Sequence, residues 1–244
     1  MKKHCLNVEK YFVDVVDKKL AKKMIEKNHY THKWTSCNVS LGIYEKMGDH
    51  NFFDTSENKL IGCIVYGYPI CNHGSDSISP IITHRQVFEL TRLWIADGHG
   101  SNIESWFIGQ SFKWLRANRP EIKCIISYAD PEQGHRGTIY QATNFLFQNT
   151  TKKQSSLLVS FTNTPYNWIH SKTIYDRLGT HDIKEWKEKL PKPFWYKTIS
   201  TKYRYIYPFG NKQETKKILK TLKHPVLPYP KTVDVVESKI EECN

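Results

Sequence analysis

The fold is decided by residues 88–147, which read FELTRLWIADGHGSNIESWFIGQSFKWLRANRPEIKCIISYADPEQGHRGTIYQATNFLF. This stretch predicts a strand, a loop with glycines, an amphipathic helix, a second strand, a glycine turn and a short helix. Such a run builds a mixed sheet with a cleft where the central strands separate. Polar side chains that catalysis uses lie at its joints: Glu89, Arg92, Ser105, Asp130 and Tyr140. We therefore expect the reaction site in that cleft.

Elements on both sides extend the pattern. Asp17 is a helix N-cap residue, and apolar spacing predicts a helix from there to about His29. Alternation along 87–96 predicts a strand with Phe88, Leu90, Arg92 and Trp94 on one face. The other predicted strands are 8–16, 39–44, 60–68, 122–129 and 157–161, and the other predicted helices are 102–119, 138–145, 171–178, 182–190 and 212–223.

The charge of the chain is unusual and uneven. Its 244 residues carry a formal net charge of +12, and residues 151–244 hold 18 of the 36 basic side chains but only nine of the 24 acidic ones. Such a surplus favours a polyanionic partner, with nucleic acid ahead of a membrane surface, although a merely solvated basic surface is the alternative. We expect a core at 1–150, a basic part at 151–230 that completes the fold and contacts DNA, and a flexible tail at 231–244.

The six cysteines exclude two other classes of protein. None of them forms a C-x-x-C pair, which argues against a zinc ribbon, and a chain of this length does not need a disulfide framework. The N-terminus is charged and the longest apolar run is short, so we expect neither a signal peptide nor a membrane span. These features predict a cytoplasmic protein.

The loop between the strand 87–96 and the following helix is a candidate phosphate cradle. Backbone amides at a helix N-terminus bind pyrophosphate well, and Gly98, Gly100, Ser101 and Asn102 lie at that position. The glycines are explained equally well by loop turns.

Asp130 and Tyr140 are candidate catalytic groups. Asp130 follows the carboxyl end of a central strand, where open α/β sheets bind their ligands, and Tyr140 lies ten residues later on a short helix. A carboxylate there accepts a proton from an amine, and a phenol delivers one to a leaving thiolate. Asp130 as a turn residue and Tyr140 as packing are the alternatives.

Arg92 interrupts an apolar strand face, either as a substrate clamp or in an ion pair with a residue such as Glu89.

Two further groups of residues are candidate binding sites, one for a metal ion and one for DNA. His29 and Tyr30 end the first predicted helix and are candidate ligands for iron, although solvated loop side chains are the commoner case. Aromatic rings alternate with basic residues late in the chain, which suits a DNA strand with a displaced base, or equally an amphipathic strand. The candidate DNA-binding residues are Lys192, Trp195, Lys197, Lys202, Tyr203, Arg204 and Tyr205.

Taken together, these motifs resemble a known family. The segments 88–93, 104–108 and 137–145 are similar to the GNAT acyltransferase core, a mixed central β-sheet flanked by helices. The run from Ser127 to Tyr140 (SYADPEQGHRGTIY), with His29-Tyr30 and the late 202–205 segment, resembles the bacteriophage Mom family of DNA-modifying proteins. The likeness spans about residues 28–230.

The resemblance implies an activity and a set of site residues. It implies a transferase that places a carbamoylmethyl (acetamido) group on N6 of adenine in double-stranded DNA, with the adenine flipped out, and so protects phage DNA from host restriction. A small-molecule group donor, namely acyl-CoA such as acetyl-CoA, and possible iron are the implied cofactors. Carried over by motif, the functional residues are His29, Tyr30, Arg92, Ser105, Asp130 and Tyr140. An ordinary N-acetyltransferase and a non-catalytic DNA-binding protein are the competing functions.

Overall fold

The computed structural model describes residues 6–47, 58–70, 75–150, 157–161, 168–198, 202–233 and 240–243, without the side chains of 149 and 150. It divides into two compact units. The first unit collects Met1–Tyr128, Gly137–Gln148 and Tyr205–Tyr229, and the second collects Ala129–Arg136, Asn149–Arg204 and Pro230–Asn244. The units do not follow the boundary expected at residue 150, because Tyr205–Tyr229 returns to the first unit and Ala129–Arg136 belongs to the second.

A seven-stranded mixed sheet forms the centre of the first unit, in the order β1-β2-β3-β4-β5-β10-β6. β1 to β4 are antiparallel, and β4 runs parallel to β5. The strands are β1 (Tyr11–Val15), β2 (Val39–Glu45), β3 (Lys59–Gly67), β4 (Val87–Ile95), β5 (Cys124–Ala129), β6 (Leu146–Thr150) and β10 (Tyr203–Pro208). The expected mixed α/β sheet flanked by helices is confirmed.

The helices of this unit for which the described residues give both ends are α1 (Lys18–Asn28), α2 (Ile103–Asn118), α3 (Thr138–Ala142) and α6 (Lys212–Lys220). The Asp17 side chain accepts hydrogen bonds from the amides of Lys19 and Leu20 and so begins α1. Ala21 and Ile25 of α1 are buried in one cluster with Cys63 and Val65 of β3. The predicted first and second long helices are therefore confirmed to within two residues at each end.

The second helix covers the sheet with a continuous apolar stripe. Ile103, Phe107, Ile108, Phe112 and Leu115 are all buried. One polar contact ties this stripe to β3, since the Tyr66 hydroxyl lies 2.6 Å from Ser111 Oγ and both groups are buried.

The second unit contains a four-stranded sheet in the order β11-β9-β7-β8. Its strands are β7 (Leu157–Ser160), β8 (Ile169–His170), β9 (Phe194–Thr198) and β11 (Ile240–Cys243), and its helices are α4 (Ser171–Leu178) and α5 (Ile183–Lys189). Trp186 and Phe194 are fully buried in its core. Four residues of the segment expected to be a flexible tail form β11, which pairs with β9. Within the described residues, no helix has the length and hydropathy needed to cross a membrane.

Gly137 offers a test of the first unit. Its φ is +76°, and an alanine Cβ there would overlap the Tyr205 ring, whereas Gly98 has φ +92° but faces open space. Gly98→Ala should lower the free energy of unfolding by about 1 kcal/mol through backbone strain alone, and Gly137→Ala by about 3 kcal/mol because the ring must also move. Urea unfolding followed by circular dichroism measures both. Equal losses for the two variants would contradict the packing of Tyr205 on this turn.

Candidate active site

β4 and β5 separate in the middle of the sheet. Their parallel pairing covers only Val87 to Glu89 opposite Cys124 to Ile126, although both strands continue. At the end of the paired part, the Ser127 hydroxyl donates a hydrogen bond of 2.9 Å to the carbonyl of Leu90. Ser127 is completely buried. The two strands therefore separate in their carboxyl halves, and we call the place where they part the notch.

A β-bulge at Thr91 turns Arg92 toward this notch. Leu90 pairs with Tyr66 and Arg92 with the adjacent Val65, so one residue of β4 is extra. Such a bulge reverses the alternation of side chains. Arg92 therefore shares the α1 face with Glu89 and not the opposite face with Phe88 and Leu90, so the face predicted for Arg92 by simple alternation was wrong.

Two hydrogen bonds hold the guanidinium of Arg92. Its Nε donates to the Lys33 carbonyl at 3.0 Å, and its Nη1 donates to the Thr91 carbonyl at 2.6 Å. Burial lowers the pKa of Arg92, whereas Tyr30, Glu89 and Tyr140 nearby act in the opposite direction. A guanidinium stays protonated in proteins, so a half-buried cation lies within electrostatic range of two phenols and a carboxylate. These contacts do not decide between the two roles predicted for Arg92, a substrate clamp and a partner in an ion pair.

Tyr140 reaches the same place from α3. Its ring lies 5.3 Å from both Phe145 and Tyr205, and the amide of Gln141 donates to the Tyr205 hydroxyl at 3.2 Å. Burial raises the pKa of Tyr140 to about 12, while a hydrogen bond with Ser127 acts against this shift. With a pKa of about 12, the phenol keeps its proton at neutral pH. Tyr140 is thus a protonated acid at neutral pH and not a base.

Tyr30 approaches from the end of α1. His29 is the C-cap of this helix, and its ring stacks on Tyr30 at 4.3 Å. Tyr30 is 46% exposed and lies near enough to affect the pKa values of both Arg92 and Tyr140. We call Tyr30, Glu89, Arg92, Ser127 and Tyr140 the notch cluster. It brings together three of the predicted catalytic residues, Tyr30, Arg92 and Tyr140.

The geometry does not fit the predicted iron. His29 is buried, and its Nδ1 lies 2.9 Å from Thr31 Oγ1 and 3.2 Å from the Thr31 amide. In the part of the chain that the structure describes, no three His, Cys, Asp or Glu side chains form a metal-binding group. Iron at His29 and Tyr30 therefore has no structural support.

The predicted phosphate loop precedes α2 in an open conformation. Gly98 and Gly100 both have φ +92°, and Asn102 is left-handed at the N-cap without a side-chain capping bond. Ser105 Oγ donates to the Asn102 carbonyl at 2.9 Å. Ser105 thus belongs to the junction of loop and helix, and Ser101 directly precedes Asn102 there. First-turn amides that are not capped by Asn102 suit an anionic group, although Glu104 in the same turn opposes it.

Asp130 lies in the second unit with partners of its own. One carboxylate oxygen accepts a hydrogen bond from the Glu132 amide at 3.1 Å, and the other lies 3.5 Å from Lys202 Nζ. Lys197 Nζ lies 3.4 Å from Glu132 Oε2 and 5.0 Å from the centroid of the Trp168 ring. Two of the predicted DNA-binding lysines therefore make ion pairs with carboxylates, a feature that residue spacing does not reveal.

The burial of the aromatic run corrects part of the predicted DNA-binding set. Tyr203 and Tyr205 are 1% and 0% exposed, so neither ring is available to stack on a base in this conformation. Both face inward, the alternative that an amphipathic strand offers. Lys192 is exposed, and Trp195 and Arg204 are half-buried. A role in DNA binding stays a prediction for these three and for the paired lysines.

Sequence reasoning missed the parts that Ser127 and Tyr205 have in this site. Ser127 lies inside a predicted buried strand, and no pattern distinguishes a structural hydroxyl there from one that contacts a candidate catalytic residue. Tyr205 was read as a DNA contact, but its ring packs on Tyr140 and Phe147. The available signals for Ser127 were a polar side chain within a largely apolar central strand and its place at the start of the SYADPEQGHRGTIY run.

Comparison with known proteins identifies the family. The model of the Mom protein family matches residues 10–231, so the chain belongs to this family. The chain is 27% identical over 224 residues to the protein named methylcarbamoylase mom of Escherichia phage Mu, which covers 90% of this chain and 83% of that protein. The predicted resemblance is confirmed, and the predicted class of enzyme, a transferase, agrees with the name of this relative.

Solved structures show weaker similarity. The spermidine N-acetyltransferase from Vibrio cholerae, in complex with CoA and spermine, aligns with a TM-score of 0.41 and 9% identity, covering 82% of this chain and 96% of that chain. A chain of the NatC complex bound to Gag peptide and CoA aligns with a TM-score of 0.40 and 10% identity, covering 82% of this chain and 98% of that chain.

The raised pKa of Tyr140 has a measurable consequence for stability. The folded protein holds this phenol protonated up to about pH 12, whereas the unfolded chain ionises near its ordinary pKa of about 10. The stability from this difference is complete below about pH 10 and is lost as pH rises toward 12. In Tyr140→Phe, the fall in the free energy of unfolding over this range should be smaller by about 2 kcal/mol. Urea unfolding at several pH values measures it, with the exposed Tyr175→Phe as control, and an unchanged slope in Tyr140→Phe would contradict the buried phenol.

Proposed function

We propose that this protein is a DNA-modifying transferase that places a carbamoylmethyl group on N6 of adenine in double-stranded DNA. Membership of the Mom family supports DNA modification, and the notch cluster supports catalysis of group transfer. The observation that carries the proposal is the meeting of a protonated phenol and a half-buried guanidinium where two central strands separate. The biological outcome would be protection of phage DNA from restriction in the host cytoplasm.

Tyr140 acts as the acid in this proposal. Bond formation at N6 requires that the amine lose a proton and that the leaving group of the donor receive one. The phenol is protonated at neutral pH, because burial raises its pKa to about 12, and is therefore in the correct protonation state for the second of these transfers. Its burial also keeps bulk water away from the transferred proton.

Arg92 positions the donor and stabilises negative charge. Two of its five N–H donors fix the group on backbone carbonyls, so the guanidinium is already oriented when substrate arrives. A fixed cation stabilises an oxygen that gains negative charge in the transition state without further reorganisation. Tyr30 and Glu89 shape the same electrostatic environment.

Asp130 is the proposed acceptor of the N6 proton. The carboxylate follows the end of β5 and forms an ion pair with Lys202. A DNA phosphate could replace the carboxylate as the partner of Lys202. This role is independent of the acid role of Tyr140 and needs its own test. Ser105, on the first turn of α2, is proposed to assist in placing the donor.

An acyl-CoA donor is part of the proposal, because the loop before α2 fits a pyrophosphate in two respects. The glycines at 98 and 100 adopt positive φ, and Asn102 does not cap the first turn of the helix. The amides next to Ser101 and Asn102 would hold the phosphates. When bound, acyl-CoA would supply an acyl group and a thiolate leaving group, and this transfer alone would form an N6-acyl bond. Because a carbamoylmethyl group is joined through its CH2 and contains an amide nitrogen, its formation would also require an ammonia-level nitrogen source and a two-electron oxidant as co-substrates.

The proposed product can be tested directly in cells. Cellular DNA from bacteria that express the protein, digested to nucleosides, should contain deoxyadenosine with the mass increase of a carbamoylmethyl group, which has one nitrogen more than an acetyl group. Tyr140→Phe and Arg92→Lys should each lower its amount by about 100-fold or more, since each removes a group that acts in the transition state. Quantitative mass spectrometry at matched expression measures these amounts.

The other outcomes separate the competing functions. An acetyl group on a small amine or protein without DNA would indicate an ordinary N-acetyltransferase, and DNA binding with no altered base would indicate a non-catalytic binding protein. Full modification by Asp130→Asn would exclude the proposed role of that carboxylate. The exposed Tyr175→Phe is the matched control, and its level should equal that of the wild type.

A further inference from the structure

One face of α1 carries a row of lysines. Lys19, Lys22, Lys23 and Lys27 are all exposed, and their spacing of three and four residues places them on the same side of the helix. The opposite side buries Ala21 and Ile25 against the sheet. Lys18 is also exposed, but its Nζ donates to the Cys37 carbonyl at 3.3 Å, so it has a structural contact of its own.

Helix stability does not explain this row. Lysine in the first turn of a helix opposes the macrodipole, and α1 has two there and no acidic residue. A helix that is merely solvated mixes both signs, yet α1 contains a single acid, Glu26, which lies 3.8 Å from Lys22. The face therefore carries a net positive charge that destabilises the helix slightly and suits an anionic partner.

The row leads directly to the notch cluster. α1 ends at Asn28, the turn that follows places the half-exposed Tyr30 near Arg92 and Tyr140, and the Lys33 carbonyl accepts the hydrogen bond from Arg92. Lys27 lies in the last turn of the helix, and Lys23 and Lys19 follow at intervals of about 6 Å along its axis. A polyanion bound along α1 would thus have one end at the reacting groups.

We propose that this face of α1 binds the DNA phosphates next to the nucleotide that is modified. The proposal rests on the function proposed above and names the surface that holds its substrate. The helix is about 16 Å long, which matches the rise of about five base pairs of B-DNA. Salt-dependent binding along this stretch would keep the duplex beside the notch while one base leaves the stack.

The chain provides a matched control in α6. That helix also exposes four lysines, Lys212, Lys216, Lys217 and Lys220. It lies at the other end of β5, because the Phe209 amide donates to the Lys123 carbonyl at 2.7 Å and Lys123 Nζ lies 2.8 Å from Glu214 Oε1. Lys123 precedes Ser127 by four residues, a distance of about 13 Å along a strand. Replacing the four lysines of α1 thus removes charge near the notch, and replacing the four lysines of α6 removes the same charge away from it.

The test compares duplex DNA binding by fluorescence anisotropy as salt is varied. Replacing Lys19, Lys22, Lys23 and Lys27 with Gln, which has nearly the same helix propensity, should weaken binding about tenfold or more at physiological salt. The slope of log affinity against log salt should become shallower by about 0.9 for each phosphate that the variant no longer neutralises. The same replacement at the four α6 positions should leave binding within about twofold of the wild type. A variant with Arg instead of Gln at the four α1 positions should bind as tightly as the wild type, because the charge is kept.

Three results would overturn the proposal: an unchanged salt slope in the α1 variant, an equal loss of affinity in the α6 variant, or a wild-type protein that binds anionic lipid vesicles more tightly than duplex DNA. Circular dichroism and the unfolding midpoint check that each variant is folded. Because binding is measured without any reaction, the two proposals fail separately. Intact α1-dependent binding with no modified nucleoside would contradict the proposed function alone, and modified DNA with α1-independent binding would contradict this surface alone.

Discussion

The candidate site depends on the hydrogen bond from the Ser127 hydroxyl to the Leu90 carbonyl. Parallel pairing between β4 and β5 stops after Glu89, and this bond satisfies the first backbone carbonyl that the ladder no longer reaches. An unsatisfied buried carbonyl would cost about 1–3 kcal/mol. Ser127 also makes a hydrogen bond with Tyr140, so one buried hydroxyl both closes the paired part of the sheet and holds the phenol.

The electrostatics of the notch follow from what meets there. Arg92 brings a positive charge from the α1 side, where the bulge at Thr91 directs it, and Glu89 brings a negative charge to the same face. Tyr140 comes from α3, whose neighbour Phe145 contacts Phe112 of α2. Elements from both faces of the sheet therefore interact only because the two central strands are apart. Burial favours the neutral phenol, and a phenol kept neutral beside a fixed cation is arranged to give up a proton and not to take one.

The local elements were largely predictable from sequence, whereas the features that shape the site were not. Asp17 and the apolar spacing after it predicted α1, and the helix predicted at 102–119 matches α2, because capping and periodicity act over a few residues. The bulge at Thr91 carries no sequence mark, and it moved Arg92 to the other face. The insertion of β10 between β5 and β6 joins residues far apart in the chain, so composition placed Tyr205 with DNA although it packs on Tyr140. The ion pairs of Lys197 and Lys202 are likewise tertiary contacts. Because these two lysines are paired with carboxylates, the lysines of α1 are the stronger candidates for binding DNA phosphates.

The coupling between Ser127 and Tyr140 can be measured with a double-mutant cycle on the amount of modified deoxyadenosine in cells. Ser127→Ala, Tyr140→Phe and the double variant would be expressed at matched levels, with folding checked by circular dichroism. If the buried hydroxyl works by holding the phenol, Ser127→Ala lowers modification in the wild type but has almost no further effect once Tyr140 is phenylalanine. Losses that multiply in the double variant would contradict this, because they would show that the two hydroxyls act independently.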